Sequence, residues 1–199
     1  MIAGFGPTDN WSWDPSFYYA HIRSPLIERD LDFRNETKTG SIELEYTATG
    51  LQPTLWPIGP SLLWSPFFLI AHSLTLVFNP AEANGFYFPY IALVSLGSML
   101  YGAAGLAIIY KLCRRFSGAR EALIVTGLCL GATPLFFYMF RQPIMAHTTG
   151  LIATAALVYA YVKISVEPRL HSRSGLLFGV LLALCFLTRW QGLLMGIVP

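Results

Sequence analysis

Charge is scarce in this sequence. Only 12% of its 199 residues are Asp, Glu, Lys or Arg, against about 25% in ordinary soluble domains, and the mean hydropathy is +0.52. That balance excludes a water-soluble globular domain and indicates a membrane protein. Cysteine is scarce too. Cys113, Cys129 and Cys185 each fall in or beside an apolar segment, so they read as small packing residues rather than a disulfide framework or a metal site. Several chemistry-bearing motifs are missing: there is no Gly-rich phosphate loop ending in Lys-Ser/Thr, no His-Glu-x-x-His, no Cys-x-x-Cys and no Gly-x-Ser-x-Gly. The basic residues occupy short connectors, so no nucleic-acid partner is expected. Met1-Ile-Ala-Gly-Phe-Gly-Pro is short and lacks a positive region, so no cleavable signal peptide is expected there. Ile197-Val-Pro closes an apolar run, and the expectation is a piece of a larger polytopic protein, with a helix before Met1 and several after Pro199.

What charge there is lies unevenly. Residues 1–50 hold eight of the eleven acids and four of the thirteen bases, a balance of −4; residues 51–199 carry +6. The expected fold is therefore an all-α polytopic membrane protein: a transmembrane helix bundle behind an N-terminal extracytoplasmic loop, residues 1–86, that bears amphipathic surface helices. Asp14-Pro15 is a helix start, and the aromatic and apolar residues after it suit a surface helix over about 15–28 with its rings at headgroup depth. Residues 36–50 read as a loop or short hairpin. Residues 60–78 are apolar but interrupted by Pro66 and His72, and are expected to lie in the interface rather than cross. Four spans are expected over 87–110, 121–140, 144–162 and 175–197. The connectors 111–120 and 163–173 are basic, which places them in the cytoplasm and residues 1–86 outside. The sequons Asn10-Trp-Ser and Asn35-Glu-Thr are compatible with that side.

Three groups of residues carry candidate chemistry. Asp14 sits among Trp11, Trp13, Tyr18 and Tyr19; it either caps the helix or serves as a general base on an acceptor. Asp30 and Asp32, two positions apart, point the same way on an extended backbone and either share a cation or sugar or are solvated loop residues. Arg141, His147 and Arg189 all fall toward the outer end of the bundle, where they could converge on one anionic group such as a lipid phosphate; Arg141 can equally snorkel as an interfacial anchor and His147 cap a helix. An arginine inside a span is costly and usually faces a cavity or a partner, which singles out Arg189.

Four stretches together carry a resemblance: Trp13-Asp-Pro-Ser-Phe-Tyr-Tyr-Ala, Glu28-Arg-Asp-Leu-Asp-Phe-Arg-Asn, Trp56-Pro-Ile-Gly-Pro-Ser-Leu-Leu-Trp-Ser-Pro-Phe and Arg141-Gln-Pro-Ile-Met-Ala-His. In this layout the chain resembles the N-terminal part of GT-C superfamily integral membrane glycosyltransferases, in the style of the protein O-mannosyltransferases of glycosyltransferase family 39 and the aminoarabinose transferases. The resemblance implies transfer of a sugar from a polyprenyl-phosphate carrier to an acceptor glycan, lipid or protein on the extracytoplasmic face of a bacterial or archaeal plasma membrane. It puts the essential loop acid at Asp14 and implies substrate contacts at Tyr18, Tyr19, Arg23, Asp30, Asp32, Arg141, His147 and Arg189. Where relatives open the second surface helix with a base, this chain has Trp56-Pro-Ile-Gly-Pro, so Arg23, Arg141 or Arg189 would meet the phosphate. No cofactor is certain, and a divalent metal is left open. The rival expectations are a transporter or flippase fragment, which should show discontinuous spans with polar residues at mid-membrane, and a non-catalytic assembly subunit.

Overall fold

The helix that opens at Trp13 is built by an acid and a proline in its first turn, Asp14 and Pro15, which suit the positive end of the helix dipole and the unpaired N–H groups there. A computed structural model describes residues 13–37, 45–166 and 172–197. Trp11, the Asn10 sequon, Ile42, Leu44 and Arg169 lie outside the described residues, as does the Trp13 side chain. Every described regular element is a helix or helical turn: α1 (Trp13–Arg23), a π-type turn (Ser24–Glu28), the short α2 (Arg34–Thr37), α3 (Gly59–Phe78), a 3-10 turn (Pro80–Glu82), α4 (Phe88–Cys113), α5 (Ala119–Gly131), α6 (Leu135–Phe140), α7 (Ala146–Val166), α8 (Ser172–Thr188) and a 3-10 segment (Trp190–Ile197). The chain is an all-α polytopic membrane protein. Among the described residues α3, α4 and α7 are long and apolar enough to cross a bilayer by length and composition. The chain divides into two compact units, residues 1–97 and 98–199.

The first unit is α1 clamped to the start of α3. A free amphipathic surface helix would bury one stripe. Instead Ser16 through Ala20 and Ile22 through Ser24 are all buried, because α1 is covered by protein on several sides. Tyr18 stacks on Trp56 and meets Trp64 edge-on; Tyr19 packs on Phe68 and Phe86. Polar ties fix the register. The Thr54 hydroxyl donates to the Phe17 carbonyl at 3.2 Å, and the Ser61 hydroxyl to that of Tyr18. The Tyr19 hydroxyl donates to the Gly85 carbonyl at 2.5 Å. His21 Nε2 donates to the Trp56 carbonyl at 2.8 Å. Burial pushes the His21 imidazole below its ordinary pKa, so the ring is neutral in this role.

Pro66 does not interrupt α3. Its missing N–H leaves the Leu62 carbonyl without the usual partner four residues on, and the Ser65 hydroxyl donates to that carbonyl at 2.7 Å. His72 Nδ1 meets the Tyr90 hydroxyl at 2.7 Å, so both polar groups are paired in an otherwise apolar setting.

In the second unit two expected spans are broken. The run 121–140 divides at Pro134, which lacks the N–H an interior helical position would donate and disfavours helical backbone at Thr133. The Thr133 hydroxyl takes up the slack, donating to the Cys129 carbonyl at 2.6 Å and accepting from the Leu135 N–H at 3.2 Å. The run 175–197 ends as an α-helix at Thr188. Gly192 then lies against the Cys185 carbonyl and Gly196 within reach of Leu182, so the 3-10 segment folds back along α8 instead of extending it. A side chain at 192 would block that return, since its Cβ would run into the Cys185 carbonyl oxygen.

α4 and α7 run parallel in this unit. Ser98 pairs with Thr148 at 3.1 Å, Gly105 lies beside Leu151 and Ile152, and Arg115 stands over the Tyr159 ring. A Cβ on Gly105 would come within 2.9 Å of Leu151 Cγ and 3.2 Å of the Ile152 backbone nitrogen. Gly105→Val is therefore expected to destabilise the protein by about 1–3 kcal/mol, the usual cost of overpacking. Thermal unfolding in detergent checks this, and an unchanged midpoint would show that the contact yields freely.

Candidate functional site

A cavity of about 690 Å³ opens in the second unit between the end of α4, the α5–α6 break, the first turns of α7 and the end of α8. Its lining is mostly apolar, with Ile109, Leu135, Leu151 and Met195, and includes the polar side chains of Tyr138, His147, Arg189 and Gln191. Each is placed by a local feature already described. Arg189 is the residue at which α8 stops: its N–H donates to the Cys185 carbonyl at 3.0 Å, and its carbonyl accepts from Gly192 at 2.7 Å. Its stem lies over Gly150, whose added Cβ would stand 3.3 Å from Arg189 Cδ. His147, in the first turn of α7, is stacked on Tyr138 with ring centroids 3.5 Å apart and 4° between planes. His147 Nδ1 is buried and has no hydrogen-bond partner among the described residues, a cost that a ligand or water would remove. Arg189 is close enough to His147 for their charges to interact.

The structure thus brings His147 and Arg189 into one cavity. Arg141, expected with them, is exposed beyond the end of α6 and is not among the lining residues. Sequence reasoning missed Tyr138 and Gln191. The clue to Tyr138 was its place just after Thr133-Pro134, in the short helix that the break creates.

The remaining candidates belong to the first unit. Asp14 is half-buried in the first turn of α1, and its carboxylate has no partner among the described residues. Tyr18 and Tyr19 are buried in the α1–α3 packing. Arg23 is turned inward. Its Nε donates to the Asn84 carbonyl at 2.8 Å, and one terminal nitrogen reaches Glu28 at 2.9 Å and Glu36 at 2.5 Å. The guanidinium lies 4.0 Å from the centroid of the Phe86 ring. Asp30 is exposed and accepts from the Ser24 hydroxyl at 2.6 Å. Asp32 pairs with Arg34 and accepts the Gln52 N–H at 3.3 Å; the Arg34 hydrogen bond holds its carboxyl below the usual range. Arg23 and Asp32 therefore brace the loop that follows α1. Among the described residues no cluster of three or more His, Cys, Asp or Glu could hold a metal ion.

The fold is that of a helical membrane protein with a cavity whose mostly apolar lining includes an arginine and a histidine. Residues 90–198, which include every lining residue, match the family of dolichyl-phosphate-mannose-protein mannosyltransferases. The match covers more than half of the chain, and the chain belongs to that family of GT-C-type glycosyltransferases. No curated protein and no solved structure matches the chain.

Proposed function

We propose that the chain transfers a sugar from a polyprenyl-phosphate carrier to an acceptor on the extracytoplasmic face of the membrane, with Asp14 as the general base. The observation that supports the donor is the cavity's lining, which sets one permanent cation and a neighbouring imidazole among mostly apolar residues. An isoprenoid phosphate has the matching anion and apolar chain. In the transfer step the acceptor oxygen or nitrogen bonds to the anomeric carbon. The carbon–oxygen bond to phosphate breaks with its electron pair leaving on phosphate, and Asp14 takes the acceptor's proton. Phosphate already leaves readily, so a fixed cation and correct positioning carry much of the rate. Arg189 would meet the departing charge, with His147 and Gln191 donating beside it. The basic connectors after α4 and α7 support a cytoplasmic side for that end of the bundle; in this reading the start of α7, with His147, faces outward. Residues 1–86 lie outside too in this reading, with α3 against the bilayer rather than across it.

The donor assignment is tested by lipid retention. Purified chain in detergent is offered a polyprenyl monophosphate and the polyprenol of the same length, and native mass spectrometry counts what stays bound. The wild type is expected to retain the phosphate preferentially, and Arg189→Gln to lose roughly tenfold to hundredfold of that preference, the range for a hydrogen bond to a charged group. Equal retention of phosphate and alcohol by the wild type would remove the assignment.

A further inference from the structure

At the opposite end of the same unit from the cavity's polar groups stands a second cationic feature that sugar transfer does not use. We propose that the α4–α5 loop and the last turns of α7 form a docking surface for anionic lipid headgroups. Lys111, Arg114, Arg115 and Arg120 are all exposed, as is Lys163 on α7. Arg115 ties the two elements together, its guanidinium 4.9 Å from the Tyr159 ring centroid, and Lys163 follows one helical turn later. Glu121, the acid of the α4–α5 segment, folds back over Gly118 at the start of α5, where it serves the helix N-terminus, and among the described residues no acid pairs with these cations.

The loop is ordered before any ligand arrives. The Phe116 and Ser117 N–H groups donate to the Cys113 carbonyl at 3.0 and 2.9 Å, the Ser117 hydroxyl to the same carbonyl at 2.9 Å, and Arg114 to the Ser117 carbonyl at 3.2 Å. A preorganised loop loses little freedom on binding. Phe116 stands 75% exposed among the cations, and the first turns of α5 expose Leu123 and Ile124. Cation, aromatic and aliphatic side chains in that sequence match headgroup, interface and hydrocarbon, an order that neither free phosphate nor an acidic protein requires. Along α7 His147 and Lys163 are separated by about 24 Å at 1.5 Å per residue, close to the roughly 30 Å of a hydrocarbon core, so the two cationic ends suit opposite leaflets.

The test uses the full chain in mild detergent with equimolar phosphatidylglycerol and phosphatidylcholine of identical acyl chains, retained lipids being counted by native mass spectrometry. The wild type is expected to prefer phosphatidylglycerol. Arg114→Gln with Arg120→Gln, which spares the Arg115–Tyr159 contact, is expected to reduce that preference roughly tenfold, and the double lysine variant to keep most of it, since each cation near an anionic surface acts mainly by charge. No preference in the wild type would overturn the proposal. So would a preference that survives the double glutamine variant and disappears in Arg189→Gln, because the lipid phosphate would then be in the cavity. If the double variant fails to fold, raising salt from about 50 to 500 mM on the Arg189→Gln chain decides: a preference that is present and falls supports the surface, and an absent or constant one overturns it.

Discussion

Asp14→Asn is expected to lower sugar transfer by about 10²–10⁴-fold, the contribution of a positioned general base, while polyprenyl-phosphate retention stays as in the wild type. Asn keeps the size of Asp and one acceptor oxygen but cannot take a proton. The alternative role is electrostatic: a carboxylate in the first turn of a helix stabilises it by about 0.3–1 kcal/mol. The two roles separate cleanly. If Asp14 only favours α1, the variant loses a small amount of stability and transfers sugar normally; if it is the base, the unfolding midpoint barely moves and turnover collapses. The setting favours a base held in place. α1 is fixed by hydrogen bonds from Thr54, Ser61, Tyr19 and His21, and the Asp14 carboxylate is not consumed by any described neighbour. Asp14→Glu should recover part of the activity, because it restores the proton acceptor at a displaced position. Normal transfer by Asp14→Asn, assayed with a polyprenyl-phosphate-linked sugar and membrane acceptors, would remove Asp14 from the mechanism.

The class of fold was legible because it rests on composition: long apolar runs and basic connectors dictate helices in a bilayer whatever their packing. The helix ends were harder. Pro66 and Pro134 look alike in sequence, yet the first is absorbed and the second splits a span. At Pro66 the preceding Ser65 supplies a hydroxyl to the freed Leu62 carbonyl. At Pro134 the preceding Thr133 binds back to Cys129 and caps a new helix at Leu135. The return of the chain after Thr188 depends on Gly192 meeting the Cys185 carbonyl, a tertiary contact with no local signature. Both breaks line the cavity. Discontinuous helices were the mark expected of a transporter, but here they belong to the segment that matches the glycosyltransferase family. For the site, the cost of an arginine within an apolar run identified Arg189, and Arg189 is on the cavity wall. Arg23 had no such marker, since nothing in Ile22-Arg23-Ser24 announces that Glu28, Glu36 and the Asn84 carbonyl will close around it.

Arg23→Met is expected to destabilise the first unit by about 3–5 kcal/mol, the usual result of removing one partner from a buried ion pair. Methionine keeps much of the stem that packs on Gly85, which sits at φ +83 and leaves no room for a side chain of its own. What disappears is the charge between Glu28 and Glu36, whose side chains are 22% and 0% exposed. Burial already raises the Glu36 carboxyl above its ordinary pKa, and Arg23 is the chief influence holding it down; Glu36 Oε2 has no hydrogen-bond partner among the described residues. Without Arg23 the Glu36 pKa should rise further. A carboxyl whose folded-state pKa lies above its unfolded value favours folding while it is protonated, and that contribution is lost as pH rises through the folded-state value. The defect should therefore be largest at neutral and alkaline pH and shrink on acidification below the raised Glu36 pKa. Hydrogen exchange of the amides in 24–36 and 79–87, followed against pH for wild type and variant, measures it. A defect that grows toward acid would mean that Arg23 is not the partner that keeps a charged Glu36 buried. Adding Glu36→Gln to the Arg23→Met variant should recover part of the loss at neutral pH and flatten its pH dependence, because the uncompensated buried charge is then gone.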